Sequence, residues 1–370
     1  MNFDERPLDD HSLALLNQYG FDSIPFFELV QRLKTGRLSA EANRLKGPIQ
    51  LPGEETYVCL PEPGSRRAKE LAALGQAAID ARQVGVIVLN GGMATRFGSL
   101  AKGVTEAVEG RSFLDLKLSQ VAHAGQGCVP VLLMNSFATD EPTRKHLTRL
   151  ENSCQIRSFS QMISLRCTPS GDLYFDENGD PSFYAPGHGD LPYALQRSGA
   201  IEDFISHGGR WLTVSNVDNL GASLDPRVIG LHIEKGAPMT VEIVRAKQQD
   251  VGGFPAIVDG KMMIVEAFRA PGSFDVNTIP VFNTNTFVFD AQALRSRFDL
   301  DWFAAFKKVN GESVVQFERL VGQLTQFMPV TWLLVPRRGT YSRFIPIKVP
   351  ADLEYRKQEL EQMLAAQGVL

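Results

Sequence analysis

Short apolar runs alternate with helix-like segments through the middle of the chain, and this alternation constrains the fold more than any other feature. β-Branched and apolar residues fill 84–90 (VGVIVLN) and 129–136 (VPVLLMNS). The segments 113–125 and 140–152 carry helix-forming residues, and the first of them repeats its apolar positions at the spacing of one helical face. Strands that alternate with helices form βαβ units, so we predict an α/β fold with a mainly parallel sheet and right-handed crossovers.

The pattern continues beyond residue 190 and then changes. An Asp259-Gly260 pair divides 255–268 (PAIVDGKMMIVEAF) into two extended runs, which predicts a β-hairpin inserted beside the main sheet. The remaining predicted elements are helices at 193–207 and 226–235, strands at 211–218, 239–246, 282–290 and 330–336, and a long helical stretch between the last two strands.

Helical patterns flank the alternating region on both sides. Residues 68–83 (AKELAALGQAAIDARQ) are rich in strong helix formers, and the sequence ends in another helix-like run. We therefore predict three parts: a helical N-terminal region over 1–82, an α/β domain over 83–348 and a C-terminal helix over 349–370.

The net charge and the spacing of the cysteines limit which binding partners and which cellular location we expect. A formal net charge of −4 at pH 7 leaves no basic footprint of a nucleic-acid-binding protein, so any anion binding is local. The four cysteines show no CxxC spacing, which favours reduced thiols. The first residues lack a secretory signal, and no apolar run approaches the roughly 20 residues that span a bilayer. We expect a cytoplasmic protein that binds neither nucleic acid nor a membrane.

A glycine-rich loop follows the first strand of the α/β domain. Residues 88–108 (VLNGGMATRFGSLAKGVTEAV) match neither G-x-x-x-x-G-K-[ST] nor G-x-G-x-x-G, which disfavours a P-loop and a dinucleotide site. Glycines let a backbone approach an anion closely, and Arg96 and Lys102 supply positive charge. By itself this pattern fits phosphate binding and a structural turn equally well.

Several stretches in the same order resemble the uridylyltransferases that make UDP-sugars. The loop is similar to that family's nucleotide loop, and the others are similar to its UDP-glucose pyrophosphorylase branch. They are FLDLKLSQ with VPVLLMNSFATDE, APGHGDLPYAL, VSNVDNLGA, GGFPAIVDGKMMIVEAFRAP, VFNTNTFVFD and SRFIPIK. The resemblance covers residues 84–348.

This resemblance implies a Rossmann-like nucleotidyltransferase domain with a mixed central sheet, a β insertion and a helical N-terminal region. It also implies a reaction in which UTP and a sugar 1-phosphate, above all glucose 1-phosphate, give a UDP-sugar and pyrophosphate in the presence of Mg²⁺. Attack by the sugar phosphate on the α-phosphorus needs no protein nucleophile. The family's C-terminal β-helical domain is expected to be absent, because a helical pattern follows Lys348.

The resemblance assigns catalytic roles to Arg96, Lys102 and Lys348, which would neutralise charge on the phosphates of both substrates. It places Asp218 at the metal, since Mg²⁺ takes one or two protein carboxylates and shares phosphate oxygens. Gln161 would read uracil through its carboxamide, which offers a donor and an acceptor. The other implied nucleotide contacts are Asn90, Gly91, Gly92, Gly187 and Gly189, and the implied sugar-phosphate contacts are His188, Asn219, Glu266, Asn285 and Lys247.

The loop departs from its glucose-branch counterpart. GGMATRFG resembles the GGQGTRLG of the N-acetylhexosamine branch, and Ala94 stands where both branches have glycine. N-Acetylglucosamine 1-phosphate, galactose 1-phosphate and a broad sugar specificity therefore stay open as substrates, and so does a non-catalytic sugar-nucleotide sensor. A nicotinamide-dependent oxidoreductase lacks its glycine fingerprint here. The oligomeric state, monomer or small homo-oligomer, is left open.

Overall fold

The computed structural model describes residues 7–92, 101–151, 153–248 and 250–370 and builds them around one eight-stranded mixed sheet. The strands of this sheet, in chain order, are β1 (Val58–Cys59), β2 (Val84–Leu89), β5 (Val131–Asn135), β6 (Ile156–Ser160), β9 (Trp211–Asn216), β10 (Met239–Arg245), β13 (Val281–Asp290) and β16 (Val330–Leu334). The short or separate strands are β3 (Glu106–Val108), β4 (Arg111–Ser112), β7 (Ser164–Leu165), β8 (Phe183–Tyr184), β11 (Gly253–Val258), β12 (Lys261–Glu266), β14 (Phe303–Val309) and β15 (Glu312–Glu318).

The sheet order is β1-β16-β10-β13-β9-β2-β5-β6. β13 runs antiparallel to β10 and β9, and every other neighbouring pair is parallel. The predicted mixed, mainly parallel sheet is thus confirmed. Because the parallel strands point the same way, their carboxyl ends meet at one edge of the sheet, where ligands of open α/β folds bind.

Helices cover both faces of the sheet, as the two-residue alternation of its strands requires. Val86 and Val88 of β2 pack into one apolar cluster, whereas Ile87 and Leu89 pack into another on the opposite face. The helices are α1 (Asp10–Gln18), α2 (Ser23–Lys34), α3 (Arg66–Asp80), α4 (Phe113–Ala124), α5 (Asp140–Leu147), α6 (Leu191–Arg197), α7 (Ala200–Ser206), α8 (Pro226–Lys235) and α9 (Pro350–Ala366). Helices α3, α4, α8 and α9 cover the first face, and α6 and α7 cover the second.

Helices α3 and α8 pack backbone against backbone at two glycines. A Cβ added to Gly75 would lie 1.9 Å from the carbonyl oxygen of Pro226, and one added to Gly230 would lie 1.9 Å from that of Leu71. Side chains at these positions would push the helices apart, so both glycines serve close packing.

The N-terminal region differs in part from its prediction. Helices α1 and α2 are present, and they pack against β7 and β15 rather than against the main sheet. The short β1, which helical propensity gives no reason to expect, joins the sheet edge parallel to β16. Together with α3, which lies on the first face of the sheet, these contacts fasten the region to the α/β domain at several separate places.

The predicted hairpin is confirmed, but the prediction of a long helical stretch after residue 290 is wrong. β11 and β12 pair across the Asp259-Gly260 turn, with both residues at positive φ. Between β13 and β16 the chain forms a second hairpin, β14 and β15, across an Asn310-Gly311 turn of the same kind. An Asn-Gly pair between alternating residues is itself a hairpin signal, and it outweighs helical propensity here.

The predicted helix over 193–207 is two helices, because Gly199 adopts φ +67° and ends the first one. Among the described residues, no helix combines the length and the apolar character that a bilayer crossing demands. Residues 349–370 contain α9 and no strand, as the sequence pattern predicts.

Candidate active site

A cleft of about 360 Å³ opens at the carboxyl edge of the sheet, above the ends of β2, β5, β6 and β9. The loops that leave these four strands form its walls, as expected for an open α/β sheet. Its polar and glycine lining residues are Gly91, Gly92, Lys102, Ser136, Gln161, Arg166, Gly187, His188, Asn216, Asp218 and Gln316.

The nucleotide loop borders this cleft at both of its described ends. Gly91 and Gly92 line the cleft, and the amide of Lys102 donates to the carbonyl of Gly92 at 3.4 Å. Asn90 is buried directly after β2, where its Nδ2 donates to Asn135 and Thr143. Its side chain therefore joins the end of β2 to the end of β5 and to α5. Ala94 and the predicted catalytic Arg96 lie outside the described residues.

Gln161 comes directly after β6 and presents a buried carboxamide to the cleft. Only 4% of the residue is exposed, and its main-chain amide donates to the carbonyl of Asn135 at 2.9 Å. Its Oε1 has no hydrogen-bond partner among the described residues. The absence of a side chain at Gly91 gives the carboxamide its space, because a Cβ there would lie 2.0 Å from Gln161 Nε2. A buried amide oxygen without a partner is costly and calls for a ligand donor.

The 187–190 loop forms the facing wall through Gly187 and His188. The Val321 amide donates to His188 Nδ1 at 3.0 Å, so the neutral ring carries its proton on Nε2. Burial lowers the pKa of His188 to about 4, which keeps the ring neutral at physiological pH. Gly187 adopts φ +104°, and a Cβ on Gly189 would lie 2.4 Å from the Arg319 carbonyl carbon. These glycines let the loop lie against its own protein scaffold.

An ion pair crosses the floor of the cleft. Lys102 Nζ lies 2.7 Å from Asp218 Oδ2 and also donates to the carbonyl of Ile347. Asp218 follows β9, and its own carbonyl accepts from the Ile347 amide at 3.1 Å. The described residues contain no group of three or more His, Cys, Asp or Glu side chains arranged for a metal ion. A single protein carboxylate can still hold Mg²⁺, because this ion often takes the rest of its ligands from water and from a phosphate-bearing ligand.

The 342–348 segment is clamped beside Asp218. The Asn219 side chain accepts from the Ile345 amide at 2.9 Å and donates to the Arg343 carbonyl at 3.2 Å. Its carboxamide is thus occupied by main-chain groups, which is a positioning role in place of the predicted sugar contact. The buried Arg343 makes two hydrogen bonds to Glu242. Lys348 ends the segment with an exposed side chain that does not line the cleft.

Asn285 reaches the cleft through a neighbour. It sits at an irregularity of β13 with φ +57°, and its Nδ2 donates to Asn216 Oδ1 at 3.0 Å. Asn216 lines the cleft, so the pair extends the polar wall toward the β insertion.

Lys247 and Glu266 do not line this cleft. Lys247 borders a separate cavity of about 330 Å³ between the end of β10 and the β insertion. Burial and then Arg337 lower its pKa. Glu266 lies at the end of β12 against Gly253, and burial raises the pKa of its carboxyl to about 7. The sequence places both residues near the sugar, whereas the structure brings neither to the other predicted contacts.

Several cleft residues escape the sequence analysis, among them Phe137, Arg166, Tyr184 and Gln316. Arg166 donates to Ser182 and to the carbonyl of Phe183, and it also donates to the carboxamide oxygen of Gln316. Gln316 belongs to the unpredicted β15, so nothing in the residue pattern brings it near Arg166. The sequence signal that could have indicated this wall is the Asn310-Gly311 pair, which is typical of the hairpin that carries Gln316.

Known proteins with similar sequences belong to one enzyme family. The family model described as UTP–glucose-1-phosphate uridylyltransferase matches residues 54–367. The curated enzyme of that name from Saccharomyces cerevisiae is 31% identical over 96% of this chain and 73% of its own length. The Encephalitozoon cuniculi enzyme is 29% identical over 80% of this chain and 60% of its own length. The chain thus spans about 60% to 73% of these relatives.

Solved structures share the fold at lower identity. The UDP-glucose phosphorylase of Trypanosoma brucei superposes with a TM-score of 0.74 at 24% identity, covering 92% of this chain and 76% of its own. The UDP-N-acetylglucosamine pyrophosphorylase of the same organism has a TM-score of 0.71 at 17% identity, covering 95% and 85%. Both branches of sugar-nucleotide enzymes therefore share this architecture.

Proposed function

We propose that this chain, which belongs to the UTP–glucose-1-phosphate uridylyltransferase family, joins UTP to glucose 1-phosphate and releases pyrophosphate. One observation carries the proposal. The buried, unpartnered Oε1 of Gln161 and the Lys102–Asp218 ion pair border the same 360 Å³ cleft, at the edge where ligands of such sheets bind. A pyrimidine base and a polyphosphate are the two chemical halves that such a cleft would accept.

The proposed reaction is a single in-line displacement. An oxygen of the sugar phosphate forms a bond to the α-phosphorus of UTP, and the bond from that phosphorus to the β-phosphate oxygen breaks. The electron pair leaves with pyrophosphate, so no covalent protein intermediate forms. Catalysis then rests on positioning and on neutralising charge, which suits Lys102 on the cleft floor.

The nucleoside half is assigned to the Gln161 wall. Uracil offers an N3–H donor and an O4 acceptor, and the Gln161 carboxamide offers the complementary pair. The unpartnered Oε1 would accept from N3–H, which removes the cost of leaving it unpaired. Gly91, Gly92 and Gly187 border the same space and are proposed to let the nucleotide approach the backbone.

The sugar phosphate is assigned to the His188 wall. The His188 Nε2–H, fixed by the Val321 amide on the other ring nitrogen, is a neutral donor for a phosphate or sugar oxygen. Lys348 is proposed to reach both phosphates from the end of the clamped segment, and Arg96 to act from the nucleotide loop. Asn285 is proposed as a sugar contact beside Asn216.

Mg²⁺ is proposed as the cofactor, and Asp218 is the residue that would hold it. The carboxylate stands at the cleft floor with one oxygen on Lys102, and we propose that its other oxygen binds the cation. When bound, Mg²⁺ would neutralise part of the phosphate charge. Lys102 supplies a second positive charge at the same point from the protein itself.

Four cysteines without a disulfide, in the described part of the chain, support a cytoplasmic location as part of this proposal. We test the activity by incubating purified full chain with UTP, Mg²⁺ and, separately, the 1-phosphates of glucose, galactose, N-acetylglucosamine and mannose. Pyrophosphate release with glucose 1-phosphate, and with none of the other three sugar phosphates, supports the proposal. Equal release with several sugars replaces it by a broad-specificity enzyme, and selective binding of UDP-glucose without any release replaces it by a sensor.

A further inference from the structure

A buried ion pair lies directly behind the cleft. Asp190 is completely buried, and Arg319 donates from Nε to its Oδ1 at 2.6 Å. The guanidinium also lies over two aromatic rings, with its carbon 3.9 Å from the centroid of Tyr193 and 4.4 Å from that of Trp302. Charge, hydrogen bond and ring contacts thus hold the arginine in one place.

The same carboxylate reaches the uracil side of the cleft. Its second oxygen accepts from the main-chain amide of Met162 at 3.0 Å. Met162 directly follows Gln161, so Asp190 fixes the backbone from which that carboxamide projects. A flexible carboxamide could rotate to suit either uracil or cytosine, whose N3 and C4 groups exchange donor and acceptor roles. Discrimination therefore depends on where the carboxamide stands and which way it faces, and the backbone held by Asp190 sets its position against Gly91.

The arginine backbone holds the opposite wall. The Arg319 amide donates to the Pro186 carbonyl, and its carbonyl accepts from the Gly189 amide, both at 3.0 Å. Two residues later, the Val321 amide fixes the tautomer of His188. One residue is thus joined to both walls, to the His188 loop by its main chain and to the Gln161 strand end through Asp190.

Breaking this ion pair costs much free energy because both of its charged groups are buried. Burial raises the pKa of Asp190, and the charge of Arg319 opposes that rise. Removing the arginine would leave a buried carboxylate without its compensating charge, which displaces the groups around it.

We propose that Arg319 is a positioning residue which, through Asp190, fixes the Gln161 carboxamide relative to His188 and so sets the preference for uracil over cytosine nucleotides. The inference rests on the proposed binding of UTP in this cleft. It requires selective nucleotide binding and does not require turnover, so the two proposals can fail separately.

The test measures the dissociation constants of UTP and CTP by calorimetry, with Mg²⁺, for the full chain and for Arg319→Met. We expect the preference for UTP to fall by about tenfold in the variant, since a misplaced polar pair loses its discrimination. Arg319→Lys, which keeps the charge, should recover part of the preference. Arg111→Met is the matched control, because Arg111 makes a comparable pair with Asp115 on α4 away from the cleft. It should leave the preference unchanged.

A folded Arg319→Met variant with the original UTP preference overturns the inference, and so does a wild-type chain that binds UTP and CTP equally. If Arg319→Met does not fold, the double variant Asp190→Asn with Arg319→Gln removes both charges and is measured in the same way. A reduced preference in it supports the inference, and an unchanged preference overturns it. A wild-type chain that prefers UTP but releases no pyrophosphate contradicts only the proposed activity.

Discussion

The ammonium group of Lys102 pairs with Asp218 at 2.7 Å and donates to the carbonyl of Ile347, which joins three distant parts of the chain at one point. The nucleotide loop, the end of β9 and the late segment before Lys348 are held together there. A phosphate or a metal ion that approaches Asp218 meets a cation already in place. The ion pair therefore gives the floor of the cleft its geometry before any substrate binds.

Removing the carboxylate should stop Mg²⁺-supported turnover. We expect Asp218→Asn to lower pyrophosphate release at least about 100-fold, because the side chain would lose its metal affinity and Lys102 its partner. The measurement is the initial rate over a range of Mg²⁺ concentrations, with circular dichroism to show that the fold is kept. Asp290→Asn is the control, since Asp290 ends the antiparallel β13 beside His232. A near-normal rate for Asp218→Asn would remove this residue from the metal role.

Gln161→Ala should weaken the preference for UTP over CTP. The carboxamide is the group proposed to read the base, and its loss leaves the pocket without a matching donor and acceptor. The kcat/KM values for both nucleotides give the result directly. Gln76→Ala, which removes an exposed Gln76–Asp80 contact on α3, serves as the control. Unchanged discrimination in Gln161→Ala would refute the uracil contact.

Lys348→Ala should lower kcat by about 100-fold with a smaller change in KM, because the lysine is proposed to stabilise charge that grows as the phosphates react. Steady-state kinetics with each substrate varied in turn separates the two effects. Lys357→Ala on α9, which removes an exposed partner of Glu361, should leave both constants unchanged. An effect on KM alone would restrict Lys348 to substrate binding.

Glu266 should make stability depend on pH. Burial raises the pKa of its carboxyl from 4.5 to about 7, so the protonated form is favoured in the folded chain. Glu266 therefore makes its full contribution to the free energy of unfolding below pH 4.5, and this contribution is lost as the pH rises through 7. The free energy of unfolding of Glu266→Gln, measured in urea, should therefore rise relative to wild type between pH 5 and pH 8. A parallel pH dependence for both proteins would show that Glu266 is ionised throughout, and the exposed Glu55→Gln is the control.

Gly230→Ala should destabilise the contact between α3 and α8. The new Cβ would lie 1.9 Å from the Leu71 carbonyl oxygen, and overpacking of this kind costs about 1–3 kcal/mol. Urea unfolding gives the difference, and Gly47→Ala is the matched control, since nothing lies within 4 Å of a Cβ at Gly47. Equal stability of Gly230→Ala and wild type would mean that the helices separate at no cost.

The edge of the sheet that carries the cleft could be predicted from residue patterns. The apolar run that ends at Leu89 and the one that ends near Asn216 are parallel neighbours, so the polar residues after them had to meet. Gly91, Gly92 and Asp218 reach the same cleft for this reason, and Lys102 then pairs with Asp218. Their exact pairing depends on Ile347, which no local pattern connects to either residue.

What the sequence could not reveal depends on contacts between distant segments. Arg319 sits in a stretch predicted to be helical, and only the β14–β15 hairpin carries it to Asp190. Asn219 stands beside Asp218 in the chain, yet hydrogen bonds to Arg343 and Ile345 turn its side chain away from the cleft. Proximity in sequence indicates a site, whereas the direction of a side chain is decided by its tertiary partners.

The proposed reaction is tested most directly by phosphorus NMR of UTP and glucose 1-phosphate incubated with Mg²⁺ and the purified chain. We expect UDP-glucose and pyrophosphate to appear in equal amounts, and neither to form when either substrate is left out. Release of phosphate or pyrophosphate from UTP without the sugar, or unchanged substrates in the presence of folded chain, would contradict it.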